Sequence, residues 1–150
     1  MRLCRVFILF IGSLFLLSAC TVRFISNYNG GMVAQLQQIQ QKINTILIMD
    51  LSVFGQKKLT RVSVTDTFVS IRVVMTDLIS TAKAIPNNES TIEQLQVLQK
   101  SIQQLLALRK AGFSSKPEIK LLISTVNDDF TSVYELQNLK RSYLKTGVAE

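Results

Sequence analysis

Between residues 62 and 85 the chain sets two elementary rules against each other. Val62, Val64, Thr65, Thr67, Val69, Ile71, Val73 and Val74 are β-branched and locally favour strand. The apolar residues Val64, Phe68, Ile71, Met75, Leu78, Ala82 and Ile85, however, step by 4, 3, 4, 3, 4 and 3. That spacing lines one face of a helix, and a period of two cannot exploit it. The spacing predicts a second helix over about residues 59–85, ended by Pro86.

The other periodic segments agree. From 32 to 54, apolar residues recur at 32, 36, 39, 43, 46/47, 50/51 and 54 with glutamines between them, and Gly55 ends this first helix before a turn at Gln56-Lys57-Lys58. Ser90-Thr91-Ile92-Glu93 fits a capping box that starts a third helix, striped by Ile92, Leu95, Leu98, Ile102, Leu105 and Leu108 and closed by Gly112. Ser115-Lys116-Pro117-Glu118 repeats the start signal for a fourth. Its expected stripe is Ile119, Leu122, Val126, Phe130, Val133, Leu136, Leu139 and Tyr143, broken at Gly147. Four amphipathic helices on connections this short must alternate in direction. The expected fold class is therefore all-α, an antiparallel up-down four-helix bundle over residues 32–146, with a three-helix arrangement as the rival.

The N-terminus is built differently. Arg2 and Arg5 precede a nearly unbroken apolar run from 6 to 17, interrupted by Gly12 and Ser13 and closing at Ser18-Ala19-Cys20. A positive stretch, an apolar stretch and small residues before a cut make a secretion signal, and the run is short for a spanning helix, which needs about 20 apolar residues. Leu17-Ser18-Ala19-Cys20 resembles at each position the lipobox of the bacterial lipoprotein pathway. That resemblance implies cleavage between Ala19 and Cys20 and lipidation of the Cys20 sulfur, so that 1–19 is a signal peptide and membrane lipid is the first partner. Two or three acyl chains exceed what stable anchoring requires. Residues 20–31, with Asn27, Asn29, Gly30 and Gly31, read as a tether, and 147–150 as a tail.

Chemistry is hard to assemble from what is left. With Cys4 lost and Cys20 lipidated, no thiol remains for a disulfide, a metal or a nucleophile, and there is no histidine anywhere in the chain. The commonest general base, the serine and cysteine triads and the usual zinc ligands go with it. Ser80-Thr81-Ala82-Lys83 and Lys145-Thr146-Gly147 match two short signatures of penicillin-binding proteins and β-lactamases, but the third is missing, Lys145-Thr146-Gly147 ends a helix where a sheet strand is needed, and about 130 residues cannot house that two-part fold. Asp128 and Asp129 are adjacent, about 100° apart on a helix, and read as a solvated side. No cofactor, metal, small-molecule substrate or catalytic residue is expected, nor nucleic acid, which export leaves behind.

Surfaces are the better candidates. Ile46-Leu47-Ile48-Met49 and Leu51 make the end of helix 1 apolar almost all round, with Asp50 inside the run. The simplest account is a central helix with Asp50 paired to Arg61 or Arg72; the functional account is a partner or self-association face of Ile48, Leu51 and Phe54. The bundle topology also gathers Lys57, Lys58, Arg61, Arg109, Lys110, Lys116 and Lys120 at the end far from the tether, a candidate tip for an anionic partner. Lys140, Arg141 and Lys145 fall at the opposite, membrane-facing end, where anionic head groups would attract them.

Leu17-Ser18-Ala19-Cys20-Thr21, Arg23-Phe24-Ile25-Ser26-Asn27-Tyr28 and Thr91-Ile92-Glu93-Gln94-Leu95-Gln96-Val97-Leu98 together resemble a group of small helical bacterial envelope lipoproteins. The resemblance implies an exported, lipid-anchored helical protein and supplies no activity. The expected function is a non-enzymatic interaction module binding another envelope component. The alternative is a self-associating structural coiled-coil spacer. Thr21 after the cysteine implies, in a host with two membranes, the outer membrane with the domain facing the periplasm.

Overall fold

The structure is a computed structural model that describes residues 26–55 and 61–145. Four helices fill it: α1 (Gly30–Ser52), α2 (Arg61–Lys83), α3 (Glu89–Ala111) and α4 (Lys116–Lys145). No strand occurs among the described residues. The β-branched stretch of α2 is helical because Val64, Phe68, Ile71, Met75, Leu78 and Ala82 all bury on one face. Spacing prevails over propensity because an apolar face put away from water is worth about 1.5–3 kcal/mol per large side chain, against tenths for β-branching. The exposed hydroxyls of Thr76 and Ser80 are satisfied within the helix, donating to the carbonyls of Arg72 and Thr76 at 2.9 Å each.

Each neighbour around the ring α1–α2–α3–α4 contacts the next, the α1–α2 seam being the slightest, and the diagonal pairs α1/α3 and α2/α4 stand apart. With turns at 84–88 and 112–115, this is the antiparallel up-down bundle. Its core runs through Leu36, Ile43 and Leu47 of α1, Ile71, Met75 and Leu78 of α2, Leu95, Leu98 and Leu105 of α3, and Ile119, Phe130 and Val133 of α4.

Three details depart from the expected elements. Helix α1 begins at Gly30, taking in two glycines that read as tether, because Asn29 caps it: its Oδ1 accepts from the Met32 N–H at 3.0 Å. A Cβ on Gly30 would stand 3.3 Å from the Tyr28 ring, a tight contact that the ring must shift by a few tenths of an ångström to admit. The Ser90–Glu93 capping box does not form. Helix α3 starts at Glu89 with Asn88 as its cap, two residues before the expected cap at Ser90; the Asn88 carbonyl accepts from the amides of Thr91 and Ile92 at 3.0 Å each, and Ser90 is exposed. The Ser115–Glu118 signal does operate: the Glu118 amide donates to Ser115 Oγ at 3.3 Å and the Ser114 amide to Glu118 Oε2. Gly112, at φ +96°, ends α3 as expected.

The third departure is in α4. Leu139 is 57% exposed and Tyr143 also faces solvent, while Gln137 and Lys140 are buried instead. Residues 126, 130, 133, 137 and 140 keep the 4, 3, 4, 3 rhythm. The apolar series 133, 136, 139 steps by threes and rotates off the core face. Following hydrophobicity rather than rhythm puts the lower stripe one residue wrong.

Candidate functional site

At the base of the bundle, where α1 and α3 begin, that rhythm carries Lys140 inward until it is 3% exposed. Its Nζ donates to Ser26 Oγ, to Asn88 Oδ1 at 2.6 Å and to Thr91 Oγ1 at 2.6 Å. Asn88 Nδ2 donates to the Ala82 carbonyl at 2.8 Å, and Gln137 links Thr91 to the Asn29 amide. The Ser26 amide donates to the Asn87 carbonyl at 3.1 Å. One ammonium thus ties the segment entering α1 to the α2–α3 turn and to α4. Lys140 is not available to anionic head groups, a correction to the expectation for it; Arg141 remains exposed and lies over the Tyr28 ring at 5.6 Å. All three acceptors are neutral, and burial holds the Lys140 pKa below the usual lysine value.

Midway along the α1–α4 seam, Gln40 and Asn44 donate to Asn127 Oδ1 at 2.7 and 3.0 Å, and the Tyr134 hydroxyl donates to Gln40 Oε1 at 2.9 Å. Burial pushes the Tyr134 phenol up to about 12. Spectrophotometric titration at the tyrosinate band is expected to show a component near 12 that Tyr134→Phe removes. The sign is unfavourable: the unfolded chain releases this proton from about pH 10, so Tyr134 erodes stability between 10 and 12.

At the far end Asp50 is 3% exposed, and its partner among the described side chains is Arg109 rather than Arg72, the side chain of Arg61 lying outside them. Arg109 of α3 donates from Nε to Oδ2 at 2.7 Å and from Nη2 to Oδ1 at 3.0 Å, a bidentate ion pair that spans the bundle diagonal. The rhythm of α1 places Asp50 on its buried stripe, and α3 ends at the same height with Arg109 in its last turn. Beside this pair a slot of about 400 Å³ opens between α2 and α3, lined by Thr65, Phe68, Val69, Arg72, Leu106, Arg109 and Lys110.

Of the expected tip, Lys110, Lys116 and Lys120 are exposed, and Arg109 is held by Asp50. Lys57 and Lys58 lie outside the described residues, as do Ala19 and Cys20, and Arg61 opens α2. In the expected partner face Ile48 is 59% exposed, whereas Leu51 and Phe54 are half-buried against the core. Phe68, Val69 and Leu106, which make the slot, were not anticipated. Their signal was present: Val69 follows Phe68, and Leu106 follows Leu105, as apolar residues one step beyond the stripe.

Among the described residues no group of histidine, cysteine or carboxylate side chains is arranged to hold a metal, and no helix is long and apolar enough to cross a membrane. The site and fold define a helical bundle with a basic, apolar slot at one end and a clamped leading segment at the other. No protein-family model, curated protein or solved structure matches the chain.

Proposed function

We propose that this chain is a lipid-anchored protein of the bacterial envelope whose bundle works without catalysis, as a module that binds another envelope component. The lipobox at 17–20 supports the anchor. The observation that carries the rest is the clamp on Ser26, which leaves five residues between it and Cys20. Those residues reach at most about 20 Å, so a lipid on Cys20 keeps the base near the bilayer. The 23 residues of α1 then carry the slot about 35 Å outward. A surface of this kind, short-tethered at one end and presenting its uncovered groove at the other, suits capture of a neighbour rather than turnover of a substrate.

In a host with two membranes, Thr21 favours the outer membrane, the bundle facing the periplasm. The spacer reading draws less support, because two of its three contact residues, Leu51 and Phe54, are taken up by the core. Metabolic labelling with an alkynyl fatty acid tests the anchor. The wild-type chain is expected to take up label and to run at the size of the cleaved form, and Cys20→Ser to take up no label and to keep its apolar leader. A wild-type chain that takes up no label, or a Cys20→Ser chain that is labelled as strongly or loses its leader as completely, would refute the reading.

A further inference from the structure

We propose that the slot between α2 and α3 receives an acidic amphipathic helix of a partner protein. The proposal rests on the interaction-module reading and names the partner's chemistry. The floor of the slot is apolar: Phe68 is buried, while Val69 at 46% and Leu106 at 37% exposure face solvent from opposite helices. The rim is cationic on both sides, with Arg72 on α2 and Arg109 and Lys110 on α3, and no carboxylate is among its described lining residues. Cations on two flanks of an apolar floor match an apolar helical stripe bordered by carboxylates on both edges. A furrow between two antiparallel helices is also where a third helix nests.

Arg109 makes the site selective. Its guanidinium has five N–H groups, and Asp50 occupies one on Nε and one on Nη2. The two on Nη1 and the second on Nη2 have no partner among the described residues. Asp50, buried and bidentate, holds the plane of the guanidinium still, so an arriving carboxylate meets a donor whose orientation is already set. Asp50 is thus a positioning residue, and Arg72, Arg109 and Lys110 are the contacts.

The test uses the full lipidated chain in phosphatidylcholine nanodiscs, with empty nanodiscs as the blank. The probe is a fluorescent synthetic helix of about five turns with leucines at i, i+3, i+4 and i+7 spacing bordered by glutamates. A second probe carries glutamines in place of the glutamates. Fluorescence anisotropy is expected to show saturable binding of the glutamate helix, at least about tenfold tighter than the glutamine helix and weakened by salt. Arg72→Glu with Lys110→Glu, both at solvent-facing rim positions of helices, is expected to abolish the preference while leaving the helical circular dichroism unchanged. Equal affinity for the two probes, no saturation up to about 1 mM, or displacement of the glutamate helix by dodecanoate at lower concentration would each overturn the proposal. Labelling at Cys20 does not depend on any of these outcomes, so the slot can fail while the anchored-module reading stands.

Discussion

Arg109→Met is expected to lower the unfolding free energy by about 3–5 kcal/mol, the cost of stranding a buried charge. Asp50 is almost wholly enclosed and receives two charge-assisted hydrogen bonds from this one side chain. Methionine keeps most of the aliphatic stem, so the loss isolates the guanidinium rather than the packing. Because the pair bridges α1 and α3, whose backbones stand apart, its loss is felt at the far end of both helices. Asp50→Leu with Arg109→Met is expected to recover most of the deficit, since a buried pair replaced by apolar residues is often neutral. Urea unfolding followed by circular dichroism measures both. A single variant within about 1 kcal/mol of the parent would mean that solvent reaches Asp50 and the diagonal bridge contributes little.

The second large effect is in the core of α4. Phe130 has no exposed surface and its ring stacks at 6.3 Å on Tyr134, at an interplanar angle of 26°. Phe130→Ala is expected to cost about 3–5 kcal/mol, the transfer term plus the cavity left behind. Leu139→Ala makes the informative contrast. On the apolar series 133, 136, 139 it would be a core truncation costing about 2–5 kcal/mol; on the observed rhythm it is a surface change within about 0.5 kcal/mol. Thermal unfolding of the two variants side by side distinguishes the registers, and a Leu139→Ala loss near that of Phe130→Ala would place the lower half of α4 in the wrong rotation.

That register shows how the two levels of information differ. Four helices, their order and their direction were legible from residue spacing, because a helix commits its apolar face before it meets a neighbour. Ser115 and Glu118 were legible as a helix start, and Gly112 as an end, since both act within a single turn. The Ser90–Glu93 box had the same local signature and still lost. Asn88, held by Ser26, Ala82 and Lys140, sets the cap of α3 two residues earlier.

The sites followed the same division. A tip rich in basic residues could be read from the topology, but its apolar slot could not, because Val69 and Leu106 meet only when α2 and α3 lie side by side. Asp50 was conspicuous as a carboxylate in an apolar run, and its candidate partners were drawn from helix 2; the partner proved to be on α3, across the bundle diagonal.

By itself, then, the sequence determined the all-α class, the up-down order and the lack of any imidazole, because these depend on residue type and on contacts within one turn or one helix face. The tertiary structure alone decided that Lys140 is an internal clamp rather than a surface charge, which arginine answers Asp50, and where an apolar floor meets a cationic rim. Each of those depends on groups more than 30 residues apart brought together, and a buried polar side chain looks like an exposed one until its partners arrive.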